Sequence, residues 1–346
     1  IEQTDIKGVS MNVWTLGAPN RLVKETQQNP EPGEGELKVR ITKVLVNGLD
    51  AMIHDGSIRV TYPLIPGRFA VGRVVSENGP IGLQKGTRVL MHTFRPCKDT
   101  GTQKKDFSAD DYGICGQTAD GFLRDFVCVG QDELIAIPDT VSDESALLVE
   151  LVALAKATVE LLDVQKGQHI AVFGGDMLGN FICQLLIYQQ ASPVLIDNHT
   201  KRLDFAKKCG IYYTSFSDDT LVDEVAKITG GRLAEGAIYV TSAGLQDKAL
   251  PFKVSARATS AVFTGFHGHD LTVNINNALK KQITVYGVTN GSDYIPTAIN
   301  LLANKAIDLS QFAVNAFDAN KISEELEKIA HNPTGDISAL SIAELI

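Results

Sequence analysis

Two patterns of hydrophobic and polar positions divide the chain. Up to about residue 145, apolar and polar residues alternate with a period of two in short runs bounded by Gly and Pro, as in "ELKVRITKVLV" (36–46). Such runs predict half-buried strands. From residue 167, short apolar runs alternate with stretches of helical periodicity, beginning with "HIAVFG" and "NFICQLLIYQQA". This alternation predicts a parallel, doubly wound sheet, and the chain as a whole is predicted to be an α/β protein.

Two connecting segments set the expected domain boundaries. "RPCKDTGTQKKDFSADDYGICGQTADG" (95–121) is polar and rich in Gly and Asp, which predicts a long excursion with little to pack. "IPDTVSDESALLVELVALAKATVELL" changes to helical periodicity, and Ser142 is predicted to begin that helix. The last segments, "ISEELEKIAHN" and "ISALSIAELI", are expected to return to the first part. We therefore expect one domain from 1–146 with 306–346, and a second from 147–305.

Composition narrows the functional classes. The chain has 346 residues, enough for two domains, and 44% of them are hydrophobic. A formal net charge of -9 and the absence of a basic run disfavour nucleic acid as a partner. No apolar stretch reaches the roughly 18 residues that span a bilayer. The first residues also lack the pattern of a secretory signal. Five cysteines without a CxxC pair indicate reduced thiols and a cytoplasmic location.

A glycine-rich turn follows the first strand of the predicted parallel sheet. In "VFGGDMLGN" (172–180), the spacing G-x-G-x-x-G falls on Gly174, Asp176 and Gly179, so an acid replaces the middle glycine. Strand, turn and helix predict that Gly174, Gly175, Asp176, Met177, Leu178 and Gly179 cradle a dinucleotide pyrophosphate. Asp176 adds bulk and negative charge there, or it stands in for the anion at the helix N-terminus. The alternative is a domain of this shape that no longer binds a dinucleotide tightly.

An acid lies at the end of the second parallel strand. Asp197 in "PVLIDNHTKRLDFAKKCG" follows the turn by roughly 20 residues, where a carboxylate can accept both hydroxyls of an adenine ribose. This position favours NAD over NADP. The alternative role for Asp197 is to cap the helix that begins near His199. Arg202 is expected either to lie along an adenine face or to be a solvated helix residue.

These segments together resemble the medium-chain dehydrogenase/reductase superfamily over nearly the whole chain. The motifs that carry the resemblance are "NGLDAMIHDG", "YPLIPG", "ADGFLRDFVCV", "IPDTVSDESALLVE" and "VFGGDMLG", in family order and at family distances. The resemblance implies a GroES-like β domain, a central Rossmann domain and a C-terminal return. It also implies a homo-oligomer, either a dimer or a tetramer, and cofactor contacts from Thr241, Gly265 and Val288.

The residues depart from the zinc-dependent branch of that superfamily. Where that branch has Cys-Gly-Ser-Asp, this chain has Asn47-Gly48-Leu49-Asp50, and where it has Gly-His-Glu this chain has Gly67-Arg68-Phe69. Of the family's zinc surroundings, only Glu150 and Asp50 remain, and one carboxylate does not make a zinc site. Asn47 and Asp50 match the Asn-x-x-Asp of the zinc-free quinone reductases. No zinc is therefore expected, and Cys97 alone near the start of the excursion also disfavours a structural zinc there.

Arg68 offers a replacement for the lost metal. Without zinc, Glu150 would be a partly buried carboxylate lacking a counter-charge, and Arg68 is a permanent cation suited to pair with it, with Asp50 as a further partner. The alternative is that Arg68 turns to solvent and Glu150 caps its own helix.

The histidines near the expected cleft are weaker candidates. His54 is either a proton relay or a surface group near a turn. His267 and His269 form a weak H-x-H metal signal.

Two functions are compatible with these features. The first is a zinc-independent NAD(H)-linked oxidoreductase for a small alcohol, carbonyl or activated alkene, in which Asn47, Asp50, Arg68 and Glu150 form the catalytic group. NAD binding is expected to be weakened by Asp176. The second is a catalytically silent binding or regulatory protein on a dehydrogenase scaffold, since fold alone does not imply function.

Overall fold

The computed structural model describes residues 10–96, 112–241, 248–265, 272–331 and 339–345, and its internal contacts divide the chain into two units. Of the described residues, unit 1 holds 10–96, 112–147, 313–331 and 339–345, and unit 2 holds 148–241, 248–265 and 272–312.

The chain returns to unit 1 at Ala313 and not at 306 as the sequence predicts. The side chain of Gln184 holds the backbone of Asp308 in unit 2, accepting from its N–H at 2.7 Å and donating to its carbonyl at 3.2 Å. The Phe312 ring packs on Phe181 and Phe205, with centroids 5.7 and 5.0 Å away. These contacts keep the connecting segment with the second unit.

Seventeen strands lie within the described ranges. They are β1 Ser10–Ala18, β2 Arg21–Gln28, β3 Glu36–Val46, β4 Phe69–Val74, β5 Arg88–Met91, β6 Phe94–Pro96, β7 Tyr112–Ile114, β8 Phe126–Gly130, β9 Leu134–Ala136, β10 His169–Phe173, β11 Ser192–Asp197, β12 Tyr213–Phe216, β13 Ala234–Val240, β14 Ser255–Thr264, β15 Thr284–Val288, β16 Ala313–Asp318 and β17 Ala339–Glu344.

Ten α-helices complete the described elements. They are α1 Gly48–His54, α2 Asp143–Ala146, α3 Val149–Glu160, α4 Met177–Tyr188, α5 Thr200–Lys208, α6 Leu221–Ile228, α7 Leu250–Val254, α8 Asn276–Lys281, α9 Ile295–Ala303 and α10 Ile322–His331. Over the residues that can be described, none is long and apolar enough to cross a membrane.

Unit 1 is organised around a mostly antiparallel sheet in the order β16-β17-β3-β4-β5-β9, with β8 also paired to β3. Strand β3 coincides with the predicted run at 36–46: every second side chain from Leu37 to Ile41 faces the core, and after a register shift the last residues, 44–46, are all buried. Trp14 from the β1–β2 hairpin joins the same core. The sheet positions α1 and the start of β4, which carry the candidate site residues.

Unit 2 contains a six-stranded sheet in the order β12-β11-β10-β13-β14-β15, and every neighbouring pair is parallel. The predicted doubly wound parallel sheet is confirmed. Its central strands are buried almost throughout, which explains their continuous apolar sequences.

The helix predicted to begin at Ser142 is two helices. Ser142 caps α2 by accepting the N–H of Ser145, and α3 begins at Val149 after a break at Leu147 and Leu148. The chain passes from unit 1 to unit 2 at this break, so the apolar periodicity continues across two separate helices.

Candidate functional site

The start of α1 is fixed by two of the candidate residues. The Asn47 side-chain oxygen accepts the N–H of Leu49 at 2.8 Å, and a carboxylate oxygen of Asp50 accepts the N–H of Asn47 at 3.0 Å. This reciprocal capping box satisfies donors that the first helical turn leaves open. Asn47 and Asp50 therefore both stabilise the N-terminus of α1.

Arg68 is a buried cation beside this helix. It follows Gly67, whose φ of +92° is one that other residues rarely adopt, and its side chain is only 2% exposed. The guanidinium Nη2 donates to the Gln117 side-chain oxygen at 2.5 Å. The alternative in which Arg68 turns to solvent is wrong, because the side chain is buried.

Asp50 lies close enough to Arg68 for the guanidinium charge to affect its pKa. Burial raises the pKa of Asp50 from its ordinary value of 3.8 to about 6, although the N–H of Asn47, the charge of Arg68 and the N–H of Gly67 each act to lower it. Desolvation is thus the largest effect on this carboxyl. The site holds a fixed positive charge beside an acid that titrates near neutral pH.

Gln117 is a site residue that sequence reasoning missed. The segment around it was expected to have little to pack, but Cys115, Phe122 and Leu123 are buried in the unit 1 core. A Cβ at Gly121 would lie 2.3 Å from the Gly67 carbonyl oxygen, so the loop passes directly against the backbone that precedes Arg68. The expectation is wrong for 112–121 because these long-range contacts order it. The only sequence signal was the glycine at 121, within "ADGFLRDF".

The other proposed catalytic acid belongs to unit 2. Glu150 lies in the first turn of α3 and is buried. Its pairing with Arg68, which lies in unit 1, stays a prediction.

His54 is the last residue of α1 and is buried, so its interpretation as a surface group is wrong. Burial lowers its pKa, against opposing effects of Glu327 and Asp55. Among the described residues, its Nε2 has no hydrogen-bond partner. Its role as a proton relay stays a prediction.

The glycine-rich turn has the predicted strand–turn–helix geometry. Gly174 follows β10 with φ +109°, and a Cβ at Gly179 would lie 1.8 Å from the Gly174 carbonyl oxygen, so only glycine fits there. Asp176 is the N-cap of α4, whose first residues are Met177 and Leu178, and it accepts the N–H of Gly179 at 2.9 Å. The carboxylate therefore occupies a helix N-terminus that would otherwise be open to an anion.

Asp197 is completely buried at the end of β11 and both of its oxygens have protein partners. One oxygen accepts the N–H of Gly175 at 2.7 Å and lies 3.4 Å from an Arg202 nitrogen. The other accepts the N–H of His199 at 2.8 Å and lies 3.0 Å from its ring. Asp197 is not the cap of α5 that the sequence predicts, because His199 is the N-cap residue of that helix and its side chain makes no capping hydrogen bond; the carboxylate holds the turn just before the helix. Arg202 is buried against the carboxylate, so its interpretation as a solvated helix residue is wrong.

The remaining predicted cofactor residues lie at the carboxyl edge of the same sheet. Thr241 follows β13, Gly265 follows β14 and Val288 ends β15. Gly265 has φ +127°, and a Cβ there would lie 2.5 Å from the Thr241 hydroxyl. That hydroxyl is buried and has no hydrogen-bond partner within the described residues. Parallel strands bring these positions to one edge with the turn at 174–179.

Among the described residues, no group of three or more His, Cys, Asp or Glu side chains is arranged to hold a metal ion. Cys97, His267 and His269 lie outside the described residues. Cys115, Cys128, Cys183 and Cys209 are free thiols.

Two family models match the chain. Residues 33–139 match the alcohol dehydrogenase GroES-like domain, and residues 178–304 match the zinc-binding dehydrogenase domain.

Individual proteins are similar over most of their length. An uncharacterized zinc-type alcohol dehydrogenase-like protein of Haemophilus influenzae is 22% identical, over 92% of this chain and 94% of its own. Sorbitol dehydrogenase of Halalkalibacterium halodurans is 23% identical, over 88% and 91%. The crystal structure of a short chain alcohol dehydrogenase from Escherichia coli CFT073, complexed with NADH, superposes with a TM-score of 0.82 at 18% identity, covering 98% of this chain and 100% of that one.

Proposed function

Because this chain belongs to the medium-chain dehydrogenase/reductase superfamily, we propose that it is a zinc-independent, NAD(H)-linked oxidoreductase for a small alcohol, carbonyl or activated alkene. The relatives with assigned activities include sorbitol and L-threonine 3-dehydrogenases, which supports an oxidoreductase of the alcohol dehydrogenase type. The observation that carries the zinc-independent part is the buried guanidinium of Arg68, held by Gln117.

A catalytic zinc does not fit the residues present. Arg68 repels a cation, Phe69 offers it no ligand atom, and the Asn47 side-chain oxygen is committed to the start of α1. Asp50 and Glu150 are the only acids left of the family's zinc environment. No step of the proposed reaction therefore passes through a metal.

The backbone of the turn at 174–179 has the shape that receives a dinucleotide pyrophosphate, but the turn carries a negative charge. Gly174 and Gly179 keep the close approach of strand and helix, while Asp176 opposes the negative pyrophosphate. A bound nicotinamide cofactor would supply or accept the hydride. The open hydroxyl of Thr241 beside Gly265 supports a polar ligand at the same edge.

The chain's own residues supply charge stabilisation and a proton. Arg68 would hold the substrate oxygen and stabilise the negative charge that develops on it, as a preorganised cation in a water-excluded site. Gln117 orients the guanidinium through its hydrogen bond. Asp50, with a pKa of about 6, can hold or release a proton close to that pH.

A catalytically silent scaffold is the second candidate, and two observations favour it. The Asp176 carboxylate already caps the helix that would receive the pyrophosphate. The Asp197 carboxylate is fully buried and engaged by Gly175, His199 and Arg202, so a ribose would have to displace Arg202 to reach it. Both features weaken a dinucleotide site without disturbing the fold.

We also propose that the protein forms a homo-oligomer in the cytoplasm. Strand β15 is the outer strand of its sheet, and Val285 and Tyr286 on it are exposed. An exposed apolar edge strand supports pairing with a second copy. The four cysteines within the described ranges are free thiols, which supports a reducing compartment.

NADH fluorescence and turnover together separate the two candidate functions. If the protein is an oxidoreductase, it changes the fluorescence of NADH at micromolar concentration and oxidises it with a small carbonyl or activated alkene. Arg68→Met should then lose turnover while still binding NADH, and Arg73→Met, which changes an exposed arginine of the neighbouring strand β4, should retain both. Absence of NADH and NADPH binding would favour the silent scaffold.

A further inference from the structure

Unit 2 contains a cleft far from the glycine-rich turn. Its volume is about 330 Å³, and it lies where the C-terminal ends of α4 and α9 meet the middle of α3. Helix α4 has 12 residues and begins at the turn, so roughly 18 Å separates the turn from this cleft. The volume lies within the range of small-molecule sites.

The charges around the cleft favour a neutral occupant. Lys156 on α3 lines it and forms an ion pair with Glu160 one turn further along the helix. The C-terminal ends of α4 and α9 carry partial negative charge toward the cleft, which disfavours an anion. Lys156 disfavours a cation. Neither sign of charge is therefore preferred in a ligand.

The polar groups suit a molecule that both donates and accepts hydrogen bonds. Gln189 and Asn300 line the cleft, and their side chains make no hydrogen bond to any other described group. An amide side chain offers donors and an acceptor together, which matches neighbouring hydroxyl groups on a ligand.

The apolar groups suit a ring with one hydrophobic face. Leu185 and Leu301 line the cleft and are buried, whereas Tyr188 lines it and is 63% exposed. An aromatic ring at the rim of a cleft offers a large apolar surface that a ligand's C–H face can cover. The cleft thus combines an apolar wall with amides whose hydrogen-bonding groups are available.

From these features we infer that the α3–α4–α9 cleft binds a neutral, hydroxyl-rich ring molecule of the size of a hexopyranose sugar. The cleft shares no lining residue with the glycine-rich turn, and the inference does not depend on the proposed function.

Calorimetric titration of the full chain with D-glucose, D-galactose and methyl β-D-glucopyranoside tests this inference, with glucose 6-phosphate as the anionic comparison. At least one neutral sugar should bind saturably, with a Kd below about 10 mM. Tyr188→Ser and Asn300→Ala should each weaken binding by about tenfold or more, whereas Tyr188→Phe should change it by less than about threefold. Tyr212→Ser, which alters an 84% exposed tyrosine of unit 2 outside the cleft, is the matched control and should change nothing.

Three results would overturn the inference. The first is absence of saturable binding by all three neutral sugars. The second is sugar binding that Tyr188→Ser and Asn300→Ala both leave intact, which would place the sugar outside the cleft. The third is binding of glucose 6-phosphate alone, which would make the cleft an anion site.

Discussion

Replacing Asp50 by asparagine should stabilise unit 1, and the gain should depend on pH. Burial raises the pKa of Asp50 to about 6 from its ordinary 3.8, so the folded state binds this proton more tightly than the unfolded state. Ionisation of Asp50 therefore costs stability above about pH 6, and the cost is relieved as the pH falls toward 3.8. Asp50→Asn keeps an oxygen that can accept the N–H of Asn47 and removes the buried charge.

The magnitude follows from the difference between the two pKa values. Each unit corresponds to about 1.4 kcal/mol, so the full cost of ionising Asp50 in the folded protein is about 3 kcal/mol at pH 8. Roughly half of it is relieved by pH 5. The stability advantage of Asp50→Asn over the parent should thus be near 3 kcal/mol at pH 8 and about half of that at pH 5.

Urea unfolding followed by tryptophan fluorescence measures the difference in stability between Asp50→Asn and the parent, and it reports on unit 1. Trp14 is the only tryptophan of the chain and lies in the unit 1 core, so its emission reports the unit that contains Asp50. Glu144→Gln is the control of opposite sign, because the hydrogen bond from Lys43 lowers the pKa of Glu144. Glu144→Gln removes this charge-assisted hydrogen bond, so the variant should be less stable than the parent at both pH 5 and pH 8. If Asp50→Asn is no more stable than the parent at pH 8, or its advantage is the same at pH 5, the argument from desolvation is refuted.

Three further predictions concern the metal, the turn and the proposed ion pair. Mass spectrometry after dialysis against a mild chelator should find no stoichiometric zinc, and one retained equivalent per chain would contradict the ligand argument. Asp176→Gly, and Asp176→Asn with the N-cap kept, should tighten NADH binding by about ten- to a hundredfold, or ~1–3 kcal/mol. Unchanged calorimetric affinity would mean that the turn has been rebuilt around the acid. Glu150→Ala should cost roughly 3–5 kcal/mol if Glu150 pairs with Arg68, and the double variant should cost less than the sum. Additivity within about 0.3–0.5 kcal/mol in urea would exclude the pair.

Local sequence patterns were sufficient for the architecture. The alternation at 36–46 coincides with β3, and the apolar runs after 167 form the parallel strands, because side-chain periodicity directly reports which face of an element is buried. The strand, turn and helix around Gly174 were equally visible, since the glycine positions reflect backbone geometry that no other residue tolerates.

The candidate site depended on contacts that local patterns do not encode. Gln117 lies 49 positions from Arg68 in the chain, within a segment whose polar composition predicted little packing, and yet it holds the guanidinium.

The burial of Arg202 also depends on tertiary contacts. The sequence left open whether Arg202 is solvated or buried, and the structure shows it buried against Asp197. A helical pattern does not reveal which segments pack over each side chain.

The sequence by itself determined the two-part α/β organisation and the glycine-rich turn, since each depends on residue type and short spacing. Only the tertiary structure decided that Arg68 is enclosed, that Asp50 has a raised pKa and that Asp197 is already satisfied. These properties come from desolvation and from partners brought together by folding. They exist only once distant segments have packed around the charged groups.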